Sequence, residues 1–455
     1  MQEVDSKADW ETLLHVCQKW RHVVFSASHR LKLRIVCTAR TPARTIVDVW
    51  PALPIVIRVV KFEDANLDNI IAALEHNDRV SEIFIEAVPN SAMERIAAAM
   101  QRPFPSLTDL YLGPFYGPID HCPCLSATNE PPAVFPKKLL GGSSPHLRSL
   151  WLDGISFPAL PKLLLSTKHL VRLRIEDITR AGYISSKAMT NCLPSLTKLE
   201  ELIIEFRSAR NLPGRETLHP RSRRHPTLPV LTSLVFAGGS EYLENLYACI
   251  NPAHLRYANL LLFTPTVFRI SPFSLFLGYT EPFEGLNQAH IRFRNIFIDI
   301  TLSPREETAN RSTLVFSIKC SDSVWQLWAL RKCSQRFFPS IESLDRFDSD
   351  LLEDRLSPIW VDDMMNDKWA ELLRYFSAVE DLYLSKGVSV CLAPTLREVA
   401  EKFAADGVTE ALPALKNLFI EELESSGPLW DPLLMFCAMK HFSGHRIDVH
   451  PWFRE

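Results

Sequence analysis

An α/β solenoid of mostly parallel strands, an irregular horseshoe, is the fold class this sequence predicts. Three observations lead to it: a leucine phrase that recurs along the chain, a proline two residues ahead of that phrase in six of its copies, and amphipathic helical stretches between copies. The phrase reads Pro105-Ser-Leu107-Thr-Asp-Leu110-Tyr-Leu112 and Pro145-His-Leu147-Arg-Ser-Leu150-Trp-Leu152. It returns as Pro194-Ser-Leu196-Thr-Lys-Leu199, Pro229-Val-Leu231-Thr-Ser-Leu234-Val-Phe236, Pro339-Ser-Ile341-Glu-Ser-Leu344 and Pro413-Ala-Leu415-Lys-Asn-Leu418-Phe-Ile420. Versions without proline fill the gaps at Val80–Ile85, Leu170–Ile175, Leu199–Ile204 and Val379–Leu384.

The spacing is the L-x-x-L-x-L skeleton of a leucine-rich repeat. Side chains alternate along a strand, so Leu110 and Leu112 point the same way while Tyr111 points oppositely. The leucine two residues after the proline sits at the strand entrance. Proline fixes φ and lacks an N–H, which suits the approaching turn and not the middle of a ladder. A single such strand cannot bury its apolar face; stacked neighbours can. Leu110, Leu150, Leu173, Leu202, Leu234, Leu382 and Leu418 are therefore the expected core. The strand centres step from Ile83 to Leu110, Leu150, Leu173, Leu202 and Leu234, intervals of 27, 40, 23, 29 and 32 residues. A regular repeat takes about 20–29, so the long steps call for inserted loops near 113–138 and 207–227.

The returns read as helix. Leu67, Ile70, Ile71 and Leu74 form one apolar stripe at helical spacing. Ser91-Ala-Met-Glu94 has the pattern of a capping box opening Ile96–Met100, with Pro103 as the stop. Ala159–Leu165 and Thr395–Phe403 are weaker examples. The solenoid is expected over 67–455, after a connecting segment at 37–66 and a helical segment at 1–36.

At 455 residues the chain is long enough for a sizeable core. Its net charge of −3, from 50 basic and 53 acidic residues, argues against a general electrostatic role on nucleic acid or membrane. The charged opening Met1–Trp10 has no secretory pattern, and Leu260–Phe283 is broken by Arg269, Pro265, Pro272 and Pro282, a poor transmembrane candidate. Ten scattered cysteines then predict reduced thiols in the cytosol or nucleus.

Trp10–Phe25 is a strongly amphipathic helix. Leu13, Leu14, Val16, Cys17, Trp20, Val23 and Val24 share a broad apolar face, opposite His15, Gln18, Lys19, Arg21 and His22. On spacing alone it caps the open end of a repeat stack. Its residues say more. Val16-Cys17-Gln18-Lys19-Trp20-Arg21, followed by Ser26-Ala27-Ser28-His29-Arg30-Leu31, resembles the second half of an F-box. Further segments extend the likeness: Thr41–Arg44 with Asp48–Pro54, Asp68–Asn77, Leu152–Ser166, Gly182–Ser185 and Ser240–Leu246. Together they resemble a large family of F-box-like proteins with divergent leucine-rich repeats in basidiomycete fungi, from about Trp10 to the C-terminus. The Leu-Pro-x-Glu helix that opens the family's F-box has no counterpart before Trp10. The resemblance implies a substrate-recognition adaptor of a Skp1-cullin-F-box ubiquitin ligase. Its apolar N-terminal residues, Leu13 to Val24, would dock a Skp1-like adaptor and its repeats would hold a substrate protein. The alternative is an interaction scaffold or sensor whose N-terminal helix only caps the stack.

No catalytic residue, cofactor or metal is expected. The sequence has no G-x-x-x-x-G-K-[ST] loop, G-x-S-x-G elbow or H-E-x-x-H. Gly141-Gly142 reads as a turn. His121-Cys122-Pro-Cys124 is half of a zinc site without a second pair. The basic run Arg207–Arg224 and the acidic run Glu342–Asp367 read first as solvated surface and second as places for a partner of opposite charge.

Overall fold

The structure is a computed structural model that describes residues 17–19, 22, 26, 33–36, 43–49, 53–59, 62–63, 66–114, 131–212, 228–247, 250, 254–263, 285–294, 296–305, 312–320, 322–349, 363–406, 411–422 and 430–453. The chain divides into two compact units, Met1–Leu231 with Ala248–Ile250 and Thr232–Tyr247 with Asn251–Glu455. Both are α/β and built on mostly parallel strands, consistent with a solenoid-like fold.

Among the described residues of the first unit, seven strands run in sequence order: β1 (Leu33–Val36), β2 (Ile55–Val59), β3 (Val80–Val88), β4 (Asp109–Pro114), β5 (Ser149–Asp153), β6 (Arg172–Ile178) and β7 (Glu201–Phe206). Each pairs in parallel with the next. Strands β1 and β2, upstream of residue 67, thus belong to the same sheet as the leucine phrases. Parallel neighbours need a crossover. Here it is supplied by α1 (Ala43–Val49), α2 (Leu67–Leu74), α3 (Asn90–Ala99), α4 (Leu160–Leu164) and α5 (Ser186–Cys192). The register sets Ile83 beside Leu110, Leu150, Leu173 and Leu202, and Ile85 beside Leu112, Leu152, Ile175 and Ile204. All ten are buried, together with Leu67, Ile70 and Leu74 of the α2 stripe.

The proline has a defined place. In Phe104-Pro105-Ser106-Leu107 the Leu107 N–H donates to Phe104 O at 3.3 Å, which puts Pro105 second in a β-turn, where its fixed φ fits. The same bond joins Leu147 to Ser144, Leu196 to Leu193, Ile341 to Phe338 and Leu415 to Leu412, and, without proline, Leu170 to Thr167 and Val379 to Phe376. Gly141 and Gly142 do form a turn, with φ of 67° and 80°. A side chain at Gly141 would also stand 2.9 Å from Pro103 Cγ. The capping box is not formed: α3 starts at Asn90 behind Pro89, and no side chain caps it. Proline at the entrance already lacks the N–H that such a bond would satisfy, and Ser91 falls inside the helix.

The second unit contains β8 (Ser233–Gly238), β9 (Tyr257–Leu262), β10 (Gln288–Phe293), β11 (Phe297–Ser303), β12 (Thr313–Lys319), β13 (Ser343–Ser349), β14 (Asp381–Leu384), β15 (Asn417–Glu421) and β16 (Asp448–Trp452). Its helices are α6 (Ser240–Tyr247), α7 (Ser323–Phe337), α8 (Asp363–Arg374), α9 (Lys386–Asp406) and α10 (Trp430–Phe442). The spatial order departs from the sequence order. Strand β9 pairs in parallel with β12, β12 antiparallel with β11, β11 antiparallel with β10, and β10 in parallel with β13. Two reversals thus interrupt an otherwise parallel stack. Helix α9 is longer than the pattern at Thr395–Phe403 suggests, because it continues through Pro394. The core is aromatic, with Phe293, Phe347 and Trp369 in mutual ring contact at 5.7–5.9 Å. Lys440, 2% exposed, donates from Nζ to Ala411 O at 2.6 Å and Leu412 O at 2.9 Å, and burial draws its ammonium down to about 8.

The seven core leucines expected from the phrase are all buried. Leu173→Ala should therefore lower stability by about 2–5 kcal/mol, since its stacked neighbours cannot collapse into the space. Lys162→Ala, on the exposed side of α4, should stay within about 0.5 kcal/mol. Denaturant melts of the two variants check the placement of the core; equal losses would contradict it.

Candidate functional site

The register that aligns leucines on one face of the first unit's strands aligns different residues on the other. Arg58, Phe84, Tyr111, Trp151, Arg174 and Ile203 form one continuous row across β2–β7. These are the x residues of L-x-L. Phe84 and Tyr111 lie 4.7 Å apart by ring centroids, Tyr111 and Trp151 4.3 Å. Each such contact contributes about 0.5–1.5 kcal/mol beyond area burial. Guanidinium groups flank the three rings: Arg58 lies 5.5 Å over Phe84 and Arg174 5.0 Å over Trp151. Phe84, Tyr111, Trp151 and Arg174 are half-buried.

Two polar rows flank the aromatic one. On the strand-entrance side, Arg172 meets Asp109 at 3.8 Å, and Arg174 holds Glu201 at 2.7 Å. On the other side stand Glu86, Asp153, Glu176 and Glu205, with Asp153 and Glu176 in register. Gly113 is the β4 member of that row. A Cβ there would come within 3.0 Å of Tyr111 Oη, so the missing side chain lets the Tyr111 ring lean along its own strand. The nearby Arg207 is engaged by Asp177, from Nε to Oδ1 at 2.7 Å and from Nη2 to Oδ2.

The electrostatics follow from this crowding. Burial pushes the Glu176 carboxyl up to about 7, and Glu205 adds to it, while Arg174 and Trp151 act against it. Glu205 is raised by burial and then by Asp153 and Asp177. The Tyr111 phenol is raised well above its usual range by burial, Asp153, Glu86 and Glu176. Trp151 Nε1 is buried without a hydrogen bond of normal geometry, yet it lies close enough to Glu176 to favour the charged carboxylate.

The second unit has a comparable aromatic row of different character. Tyr383 stacks on Phe419 at 4.1 Å and Phe419 on His450 at 5.0 Å. Its charges are matched within the sheet: Arg305 reaches Asp381 at 2.9 Å and Arg292 reaches Asp348 at 3.7 Å. Burial, then Arg292 and Arg346, lower His290 to about 4. The acidic run from Glu342 is accordingly not one solvated stretch, since Asp348 is buried on β13.

Of the residues expected to dock a partner, Leu13, Leu14, Val16, Trp20, Val23 and Val24 lie outside the described residues. Cys17 is exposed and a free thiol, and Gln18 and Lys19 beside it are exposed on helical backbone. His121, Cys122 and Cys124 also lie outside the described residues, as does most of the 207–227 basic run. Among the described residues no His, Cys, Asp or Glu cluster could hold a metal ion, and no helix is long and apolar enough to cross a membrane. The aromatic and acidic rows were not singled out by sequence reasoning, although the x of each L-x-L phrase carried the signal. A scan against protein-family models finds no match for the chain, and a search of curated proteins finds none.

The raised Glu176 has a testable consequence. The folded chain keeps this proton up to about pH 7, whereas the unfolded chain releases it near 4.5. Folding is therefore opposed increasingly as pH rises between those values, and the penalty stays constant above them. Glu176→Gln keeps the shape and removes the charge. At about pH 8 it should raise stability by about 1–2 kcal/mol, the full shift being reduced by solvent screening at this half-buried site. The gain should vanish below about pH 5. Thermal melts across that range check it; a gain independent of pH would contradict the assignment.

Proposed function

We propose that this chain is a non-catalytic recognition protein of the cytosol or nucleus. In this reading it is a leucine-rich-repeat solenoid whose strand face holds a substrate protein and whose N-terminal F-box-like segment docks a Skp1-like adaptor. The arrangement is that of the substrate-recognition subunit of a Skp1-cullin-F-box ubiquitin ligase, whose partners would supply the chemistry. One observation carries the binding half: the half-exposed Phe84–Tyr111–Trp151 row on the strand face. Protein interfaces concentrate their energy in such aromatic anchors, flanked by arginine. A rigid parallel sheet presents them preformed, so little ordering entropy is lost on binding. The adaptor half is supported by the likeness of Val16–Arg21 and Ser26–Leu31 to an F-box.

In this reading the large, central Trp20 is assigned the role of anchor, and Leu13 and Leu14 are assigned to the partner face. Purified Skp1 should retain the full-length gene product in a pull-down. The Leu13→Asp, Leu14→Asp double variant should lose more than about 30-fold in affinity, as expected if the two anchors together are worth about 2 kcal/mol or more, with an unchanged melt. A folded full-length product that Skp1 does not retain would leave a scaffold whose N-terminal helix only caps the stack.

A further inference from the structure

The aromatic row of the first unit has a length built into it. Phe84, Tyr111 and Trp151 stand directly opposite one another on β3, β4 and β5. Neighbouring strands lie about 4.8 Å apart, so the first and third positions of the row are separated by about 9.6 Å. The ring centroids follow that spacing, at 4.7 Å and 4.3 Å. The rings are inclined to one another by 45° and 50°, so the row is ridged and not flat.

Few backbones return a side chain to one side at such an interval. An α-helix does so about every 5.4 Å and an extended strand about every 6.7 Å. A polyproline II helix takes three residues per turn at about 3.1 Å each, so every third residue comes back after about 9.3 Å. Its carbonyls are bonded to nothing within the helix and need an outside donor. The Tyr111 hydroxyl can be that donor. It makes no hydrogen bond among the described residues, it leans over Gly113, and burial with the nearby carboxylates keeps its proton on.

We propose that the substrate segment held on the first unit's strand face is proline-rich and lies across β3–β5 as a polyproline II helix. Two prolines three residues apart rest on Phe84 and Trp151 and straddle Tyr111, whose hydroxyl donates to a carbonyl between them. This rests on the reading of the strand face as the substrate surface and names the class of that substrate. Such a segment is already ordered before it binds, and aromatic surfaces are where it docks. Being uncharged, it leaves the flanking groups with the partners the sheet gives them, Asp109 with Arg172 and Glu201 with Arg174.

The test is selection of short randomised peptides on the full chain, followed by fluorescence anisotropy of a labelled winner. Winners should carry the spacing P-x-x-P. Moving the second proline to P-x-P or P-x-x-x-P should weaken binding about tenfold, and raising the salt from about 0.15 M to about 0.5 M should change it less than about twofold. Trp151→Ala should cost about tenfold. Tyr111→Phe, which keeps the ring and removes the donor, should cost about threefold to fivefold with an unchanged melt. Winners without the proline spacing would overturn the inference, as would equal binding of the shifted peptides or indifference to Tyr111→Phe. If such winners still depend on Trp151, the strand face remains a substrate surface and only the substrate class falls. Winners indifferent to Trp151, or no winners at all, would overturn both. Skp1 retention reports on the adaptor reading independently.

Discussion

Everything described above depends on parallel strands paired in register. Where each coil begins, one backbone bond ties it to the coil before: Thr108 N–H to Ser81 O at 2.8 Å, Arg148 to Thr108 at 2.7 Å, Val171 to Arg148 at 2.8 Å and Glu200 to Val171 at 2.9 Å. The second unit repeats it from Glu342 to Asn287, Glu380 to Glu342, Lys416 to Glu380 and Asp448 to Lys416. Before Thr108, Arg148, Glu342 and Lys416 the preceding β-turn has proline in its second position and delivers the chain to that bond with its φ already set. Because the side-chain period is two, this single anchor decides which residues share a row on both faces. The leucine core and the aromatic row are two consequences of one registration.

The same constraint has a cost. Stacking equivalent positions brings like next to like, which suits leucine and tyrosine but not glutamate. The second unit resolves the problem by pairing, as Arg305 with Asp381 and Arg292 with Asp348 show. The first unit leaves Glu176 near Glu205, and both carboxyls are raised, first by burial and then by neighbouring carboxylates, Glu205 for Glu176 and Asp153 and Asp177 for Glu205. Glu176, ionised against burial above about pH 7, opposes folding there.

Much of the core was legible because its rule is local. A phrase of a few residues names the leucines, the turn and the strand direction, and Leu110, Leu150, Leu173 and Leu202 follow from it in exact sequence. The antiparallel β10–β12 segment was not found, although Ala289, Ile291 and Phe293 alternate as cleanly as Ile298, Ile300 and Leu302. No repeat phrase marks it, and the pairing of β9 with β12 is a tertiary choice. The acidic row escaped for a related reason. Glu176 and Glu205 are unremarkable in their own segments, and their proximity exists only once β6 and β7 are in register. The amphipathic helix at Trp10–Phe25 was legible as a pattern, but its six large apolar residues lie outside the described part of the chain.

The reversed β10–β12 segment bears on how the second unit assembles during synthesis. In the first unit each strand finds its partner in the strand just made, so coils can be added as they emerge. Strand β9 cannot follow that rule: its neighbour on the growing side is β12, and β10 and β11 are translated first. Its hydrogen-bonding edge must wait through both of them, with a larger loop to close before contact is rewarded. An edge left waiting is the place where a nascent chain pairs wrongly. The β9–β12 junction is thus the point at which growth by simple addition gives way to a cooperative step, and where a folding helper would have most to do.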